Sequence, residues 1–376
     1  ADCNACHSFV PFQKRGVLFC EDMRLCKVVA VLMLVALLSV SCKRNTLSGE
    51  QTIGFVCDIL DGKYPEELGC ISYAATPFRS GDIYLVGSSY YCSAFGDRFE
   101  SFDAKDNVDG SENPDMLPDF AGETLVSICD DSVFAGDSLG RIARRERAVR
   151  LALAALDTVT HISPYDLDGL KYKTPAKMIV LGEPSLSEFG GFDIDTLFRS
   201  TNCKVPVISP VDLMLERVLK SNPSRRMNIG IIANTDIVST SVYASRFRTA
   251  AAKYSDNGAK CVIVNSVGRD SLIHHLLDEY SKDNTTPLDA IIIDDISLDI
   301  PLLKSELADI LSVLNEDSIT YGKMIANEIQ VLDSFDVAAS ACYDILRSNN
   351  LFTHNISFPQ LVTYLPVSKP ETEDRS

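Results

Sequence analysis

The chain of 376 residues has no tryptophan, only five histidines (at 7, 161, 274, 275 and 354), and fewer basic than acidic side chains, 35 against 52, for a formal net charge of −17. Each shortage excludes something. A chain poor in Lys and Arg, with no strongly basic block, is not built to hold nucleic acid, where cations must displace counterions from phosphate. The dispersed histidines give no metal cluster, and the 12 cysteines contain no pair of C-x-x-C units of the kind that closes a structural zinc site. The stretch Gly136-Asp137-Ser138-Leu139-Gly140 lacks the Lys-Ser/Thr end of a phosphate loop, and so does Gly190-Gly191. His274 and His275 are adjacent in a helical pattern, so their side chains diverge by about 100° and do not share a metal. No metal, no cofactor and no catalytic residue is therefore expected. With 46% hydrophobic and 23% charged residues, the composition is globular, and the length allows two or three domains.

Residues 28–40 read VVAVLMLVALLSV, an uncharged run behind Arg24 and Lys27 and ahead of Ser41-Cys42. A membrane-crossing helix needs about 20 apolar residues. A shorter run with a basic front is the pattern of a secretory signal peptide. Because it ends on a cysteine, the segment resembles a bacterial lipoprotein signal, departing from it at Ser39, where leucine is commonest. That resemblance implies lipidation at Cys42, a membrane anchor through that residue, and a place in the cell envelope on the extracytoplasmic, periplasm-facing side. Met23 reads as the start, residues 1–22 as an upstream extension, and 1–42 as extension plus signal. Seven cysteines follow: 57, 70, 92, 129, 203, 261 and 342. An exported protein can form disulfides, and Cys57, Cys70 and Cys92 lie close enough in sequence for one pair to be bridged. Cys129, Cys203 and Cys261 lie in or beside apolar runs and read as core residues.

Residues 43–120 read as a tether and a β-rich N-terminal region closed by an acidic linker, DNVDGSENPDMLPDF at 106–120. From 121 the pattern changes. Apolar runs at 124–129 (TLVSIC), 177–181 (KMIVL), 205–208, 227–232 (MNIGII), 261–265 and 290–293 alternate with helical periodicity at 139–156, 195–200, 211–219, 241–254, 271–280 and 301–314. Short, continuously apolar strands separated by helices mean βαβ units and parallel sheets covered on both faces. The expectation is an α/β fold of two tandem Rossmann-like lobes with parallel sheets, 121–225 and 226–318, plus the β-rich N-terminal addition. Residues 319–376, with a helix at 336–348 and a strand at 358–366, are expected to return to the first lobe and end in a polar tail. The basic run RIARRERAVR (141–150) reads as a solvated helix face, or as a contact for an acidic partner or lipid headgroups.

In an open parallel sheet, ligands bind beyond the carboxyl ends of the strands. Those ends carry Asp131 and Ser132; Ser185 and Ser187; Ser209 and Asp212; Thr235 and Asp236; and Asp295. Small hydroxyls and carboxylates there suit a small polar ligand, although the same residue types cap helices in any α/β protein. The segments KMIVLGEPSLSE (177–188), CKVPVISPVD (203–212), the stretch 227–266 and DAIIIDDISLDI (289–300) resemble a type I periplasmic solute-binding protein. The resemblance implies a ligand held between two lobes that close on it, faced by Ser185, Ser187 and Ser209 from the first and by Thr235, Asp236 and Asp295 from the second. NTDIVSTSVYASRF (234–247) and DAIIIDDISLDIPLLK (289–304) are also similar to aspartate/glutamate racemases, whose chemistry uses one cysteine from each lobe. Here Gly182-Glu183 and Asp294-Asp295 stand at those two positions, so cysteine-based racemisation is not expected. The reading is an anchored protein that captures, transports or senses a small polar ligand. The alternatives are a degenerate racemase-like enzyme, or an envelope protein that binds a protein partner through residues 53–120.

Overall fold

Strands buried on both faces form the inner sheets of this chain, and their alternating residues build two different cores. The computed structural model describes residues 50–131, 140–163, 166–221, 226–254, 258–267, 271–316, 324–353, 355 and 357–366. The signal-like run and Cys42 lie outside them. Among the described residues no helix is long and apolar enough to cross a membrane.

In chain order the elements are α1 (Gly54–Leu60), α2 (Pro65–Tyr73), β1 (Asp82–Gly87), α3 (Ser89–Glu100), β2 (Thr124–Cys129), α4 (Arg141–Leu156), β3 (Val159–Ser163), β4 (Asp166–Tyr172), β5 (Ala176–Leu181), α5 (Pro184–Phe189), α6 (Gly191–Ser200), β6 (Val207–Ile208) and α7 (Pro210–Ser221). There follow β7 (Asn228–Ala233), α8 (Thr235–Thr240), α9 (Val242–Tyr254), β8 (Lys260–Asn265), α10 (Leu272–Asp283), β9 (Leu288–Asp294), α11 (Ile300–Glu316), β10 (Ile325–Asp333), α12 (Ser334–Ser348) and β11 (Gln360–Tyr364). The first sheet runs β11-β2-β1-β5-β6 and the second β10-β9-β7-β8, and every pairing within them is parallel. These are the two Rossmann-like lobes that the strand–helix alternation implies, but with other bounds: β1 joins the first sheet from before residue 121, and β10 extends the second sheet beyond 318, so that of the described strands after 318 only β11 returns to the first sheet.

The N-terminal segment departs from expectation. Residues 53–100 are three helices and one strand rather than a β-rich addition, and that strand, β1, is the centre of the first sheet. Burial explains the helix that follows it. Ser, Tyr, Gly and Phe are weak helix formers, but α3 buries Tyr91, Cys92, Phe95 and Phe99 on one face. Residues 106–120 are likewise folded down rather than a free acidic linker. Asp119 accepts the amides of Ala104 and Lys105, Asp103 accepts those of Asp115 and Met116, and the Tyr343 hydroxyl of α12 donates to the Asp106 carbonyl. The interval between α4 and β5 holds an antiparallel hairpin, β3–β4, where another strand–helix unit is usual.

Along β1, Ile83 and Leu85 face one core while Tyr84 and Val86 face the other, the period-2 alternation of a strand. The Tyr84 side packs against α4 through Val149, Ala152 and Leu156. The Ile83 side continues through Met178, Val180, Met214 and Leu215 into Ile229, Ile231, Tyr243 and Phe247 of the second lobe. One hydrophobic core thus spans both lobes. Asp212 on α7 also holds Arg246 on α9 with two bonds, Nε–Oδ1 at 2.7 Å and Nη2–Oδ2 at 2.6 Å. A wide hinge opening would expose that shared core, and large apolar interfaces do not open freely.

Candidate functional site

Four strands deliver their carboxyl ends to one cavity of about 310 Å³. β1 leads to Ser88, with Tyr90 and Tyr91 on the first turn of α3; β2 leads to Asp131; β5 leads to Glu183 and Ser185. The second lobe contributes Asn234, Asp236, Ile237 and Thr240, from the end of β7 and from α8. Arg144 of α4 and Phe189 of α5 complete the wall, with the guanidinium 5.3 Å from the ring centroid. The lining therefore offers three carboxyl groups, one guanidinium, several neutral hydrogen-bonding groups and three aromatic rings.

The lobes touch across the cavity wall. Asn234 caps α8 by accepting the Ile237 amide at 2.9 Å, and its side-chain nitrogen donates to the Tyr91 hydroxyl at 3.1 Å. Burial pushes the Glu183 carboxyl up to about 7, with Asp294 adding to the rise and hydrogen bonds from Ser88 and Ser185 opposing it. The Ser88 hydroxyl donates to Oε2 at 2.7 Å, and the Ser185 hydroxyl lies 3.4 Å from Oε1. Asp294, at the end of β9, is pushed up to about 6 by burial, against hydrogen bonds from the Tyr243 and Ser334 hydroxyls. The Tyr243 bond is 2.6 Å. The same two carboxyls, together with burial, raise Tyr91. Glu183, Asp294 and Tyr91 therefore form one electrostatic group at the junction of the lobes.

The structure separates the nine residues proposed from sequence. Asp131, Ser185 and Asp236 line the cavity. Ser132 lies outside the described residues. Asp131 is held in place by the amide and hydroxyl of Ser89, at 2.7 and 2.8 Å. The remaining five are not in the lining. Ser187 is fully buried and shares a 2.8 Å hydrogen bond with Ser209, which caps α7 through the Asp212 amide. Asp212 is occupied by Arg246, Thr235 accepts from the Asn265 side chain at 2.9 Å, and Asp295 is buried among Ser266 and the amide and hydroxyl of Ser297. Each of these does the work of a cap or a tie.

Sequence reasoning missed Ser88, Tyr90 and Tyr91, because the segment carrying β1 was set aside from the lobes. The run DIYLVG followed by Ser-Ser was the signal. Arg144 lies in a basic stretch whose charges are paired within the protein, some at its surface and some buried. Arg145 is buried and holds Asp193 at 2.7 Å, Arg147 holds Asp130, Arg141 holds Glu188, and Arg150 holds Glu146 and lies 4.1 Å from the centroid of Phe55. The helix face is thus split, with Arg141 and Arg150 exposed in surface ion pairs and Arg145 buried. Residues 136–140 also have the Gly-x-Ser-x-Gly spacing of a strand-to-helix nucleophile turn; 136–139 lie outside the described residues, and no role is assigned to Ser138. Among the described residues no three His, Cys, Asp or Glu side chains converge on a metal position.

No family model matches the chain, and no curated protein matches it. Solved structures do. It is similar to a glutamate racemase from Francisella tularensis in complex with D-glutamate, at 13% identity and TM-score 0.45, over 77% of this chain and 90% of that one. A glutamate racemase from Bacillus anthracis aligns at 11% identity and TM-score 0.43 over the same shares. A LacI-family transcription regulator from Clostridium acetobutylicum aligns at 12% identity and TM-score 0.25, over 77% of this chain and 100% of that one.

Proposed function

We propose that the chain binds a small polar ligand in the cavity between its two lobes. The observation that carries this reading is the convergence of β1, β2 and β5 with β7 on one polar space, the place where parallel sheets offer free amides and short side chains to a ligand. The lining of Asp131, Glu183 and Asp236 against Arg144 suits a ligand that presents hydrogen-bond donors or a positive group to the acids and an acceptor to the guanidinium. Because the lobes share a core, the ligand enters through the cavity mouth with side-chain adjustment rather than wide lobe opening. In the same proposal, the signal-like segment ending at Cys42 supports a lipid-anchored protein of the bacterial envelope facing the periplasm, serving solute capture, transport or sensing.

A second reading is favoured by one observation. Glu183 faces the cavity with a carboxyl that holds or releases its proton near neutrality, beside a second buried acid, Asp294. A racemase-like layout that works through carboxyls would use such a pair as acid and base. The third alternative, an envelope protein with a vestigial cleft that binds a partner through residues 53–120, would have to use the outer face of that segment, because β1 within it is the centre of the first sheet.

The test is a thermal-shift screen of the full chain against amino acids, sugars, nucleosides and short peptides, repeated on Asp236→Asn and Glu183→Gln. A ligand at about 100 times its dissociation constant adds roughly 2.7 kcal/mol of stability. The expected result is a concentration-dependent shift from one chemical class that both variants diminish. A shift that both variants keep in full would place the ligand elsewhere. Turnover of that ligand, lost in Asp294→Asn, would move the reading to the enzyme.

A further inference from the structure

None of the seven cysteines among the described residues is in a disulfide, and two of them, Cys92 and Cys129, lie on facing elements behind the cavity wall. Cys92 is on α3, next to Tyr91; Cys129 ends β2, two residues before Asp131. The Cys92 sulfur is 3.5 Å from the Leu85 carbonyl and 3.7 Å from the Ile128 carbonyl, so it sits between the inner strands β1 and β2. Cys129 is the next residue along β2 after Ile128, and strand alternation turns its side chain away from the Ile128 side, toward α3 and the Cys92 thiol. Sequence distance points instead to a bridge between one pair among Cys57, Cys70 and Cys92. The fold turns Cys70 toward the Leu153 carbonyl. No role in ligand contact uses either Cys92 or Cys129, and neither lines the cavity.

We propose that Cys92 and Cys129 are a dithiol pair that closes to a disulfide by exchange with a small-molecule disulfide, fastening α3 to β2 directly behind Tyr91 and Asp131. The two sulfurs have different roles. Interaction with Cys92 lowers the Cys129 thiol against the opposing effect of burial, whereas the same interaction, with burial, raises that of Cys92. Cys129 is also the more accessible, at 6% against 1%. The Cys129 thiolate attacks one sulfur of the small disulfide, forms a mixed disulfide and expels one thiolate. That step removes the negative charge that held the Cys92 proton. Cys92 then gives its proton to solvent and attacks the Cys129 sulfur, expelling the second small thiolate. Two protein thiols are oxidised, one small disulfide is reduced to two thiols, and the two protons end on those thiols.

The experiment uses the full reduced chain with glutathione disulfide as the probe, followed by alkylation of remaining thiols and peptide mapping. The expected product joins the Cys92 and Cys129 peptides, and dithiothreitol reverses it. In Cys92→Ala the reaction is expected to stop at a mixed disulfide on Cys129; in Cys129→Ser, Cys92 stays alkylatable. The proposal is overturned if wild-type Cys92 and Cys129 both remain alkylatable, if Cys92 links to another cysteine, or if wild-type Cys129 stops at the mixed disulfide. The wild-type mapping decides the matter even if a variant fails to fold, and none of these outcomes depends on the cavity ligand.

Discussion

Lys177 begins one of the most legible strands in the sequence, yet its side chain is fully buried, and its removal should be among the most damaging single changes away from the cavity. Its ammonium pairs with Glu123, itself 1% exposed, and donates to the carbonyls of Arg79 at 3.1 Å and Leu351 at 3.0 Å. Three donors thus meet three acceptors. Glu123 is satisfied by Lys177 and by the Thr353 amide at 2.8 Å. The cluster stitches β5 and the approach to β2 to the segment that leads into β11. Lys177→Met keeps most of the volume but strands a buried carboxylate, which costs about 3–5 kcal/mol. That is a large share of the roughly 5–15 kcal/mol by which proteins are stable. Burial raises the Glu123 carboxyl and Lys177 opposes the rise, so without the lysine the acid takes a proton more readily and the damage should shrink toward acid pH. Replacing both, as Lys177→Met with Glu123→Leu, removes the stranded charge and should recover at least half of the loss. The remainder reflects the orphaned Thr353 amide and the two carbonyls. Urea denaturation of the four chains at pH 8 and pH 5 measures this, with midpoints compared at a common slope. The reasoning fails if Lys177→Met stays within about 1 kcal/mol of wild type, or if the double variant is as unstable as the sum of the singles.

Other outcomes follow from the same geometry. Glu183, raised to about 7 by burial, keeps a proton in the folded state across the interval from its ordinary value to about 7, where the unfolded chain has lost it. Stability therefore falls as pH rises through that window, and Glu183→Gln should abolish this dependence, converging with wild type near pH 4 and exceeding it by roughly 3 kcal/mol at pH 8. Equal slopes of urea midpoint against pH for the two chains would refute it. Gly122 has a φ of +82°, and a Cβ there would lie 2.1 Å from the Asn355 carbonyl oxygen, so Gly122→Ala should cost about 2–4 kcal/mol and lower the melting temperature sharply. Asp193 is fully buried, holds Arg145, and accepts the Ile53 amide at 3.2 Å ahead of α1. Asp193→Ala should cost about 3 kcal/mol and speed amide exchange at Ile53, whereas an unchanged exchange rate there would show that α1 is held by its apolar contacts alone.

How much of this was legible in the sequence depended on the physics that each residue obeys. Strands such as TLVSIC, MNIGII and DAIIID announce themselves because both faces are buried and their central positions are mostly apolar. β1 has the same signature and was placed in the wrong company, since its helix α3 is specified by burial of Tyr91, Phe95 and Phe99 rather than by helix propensity. β10, IANEIQVLD, is an edge strand with exposed positions, and so lacks a continuous apolar run. The candidate site was half visible. Strand ends marked the right neighbourhood, but Ser187, Ser209, Asp212 and Asp295 are of the same residue types as Ser185 and Asp236. Only their partners, Arg246 and Ser297 among them, separate a cap or a tie from a cavity wall. Those partners are distant in sequence or set by loop geometry, and periodicity does not report them.

The most direct measurement is a crystal structure of the chain grown with the compound that shifts its melting temperature most. The account predicts ligand density in the cavity between the lobes, in contact with Glu183 and Asp131 on one side and Asp236 on the other, with the shared core unchanged. Density at another surface, or a cavity that stays occupied by solvent alone at saturating ligand, would contradict it.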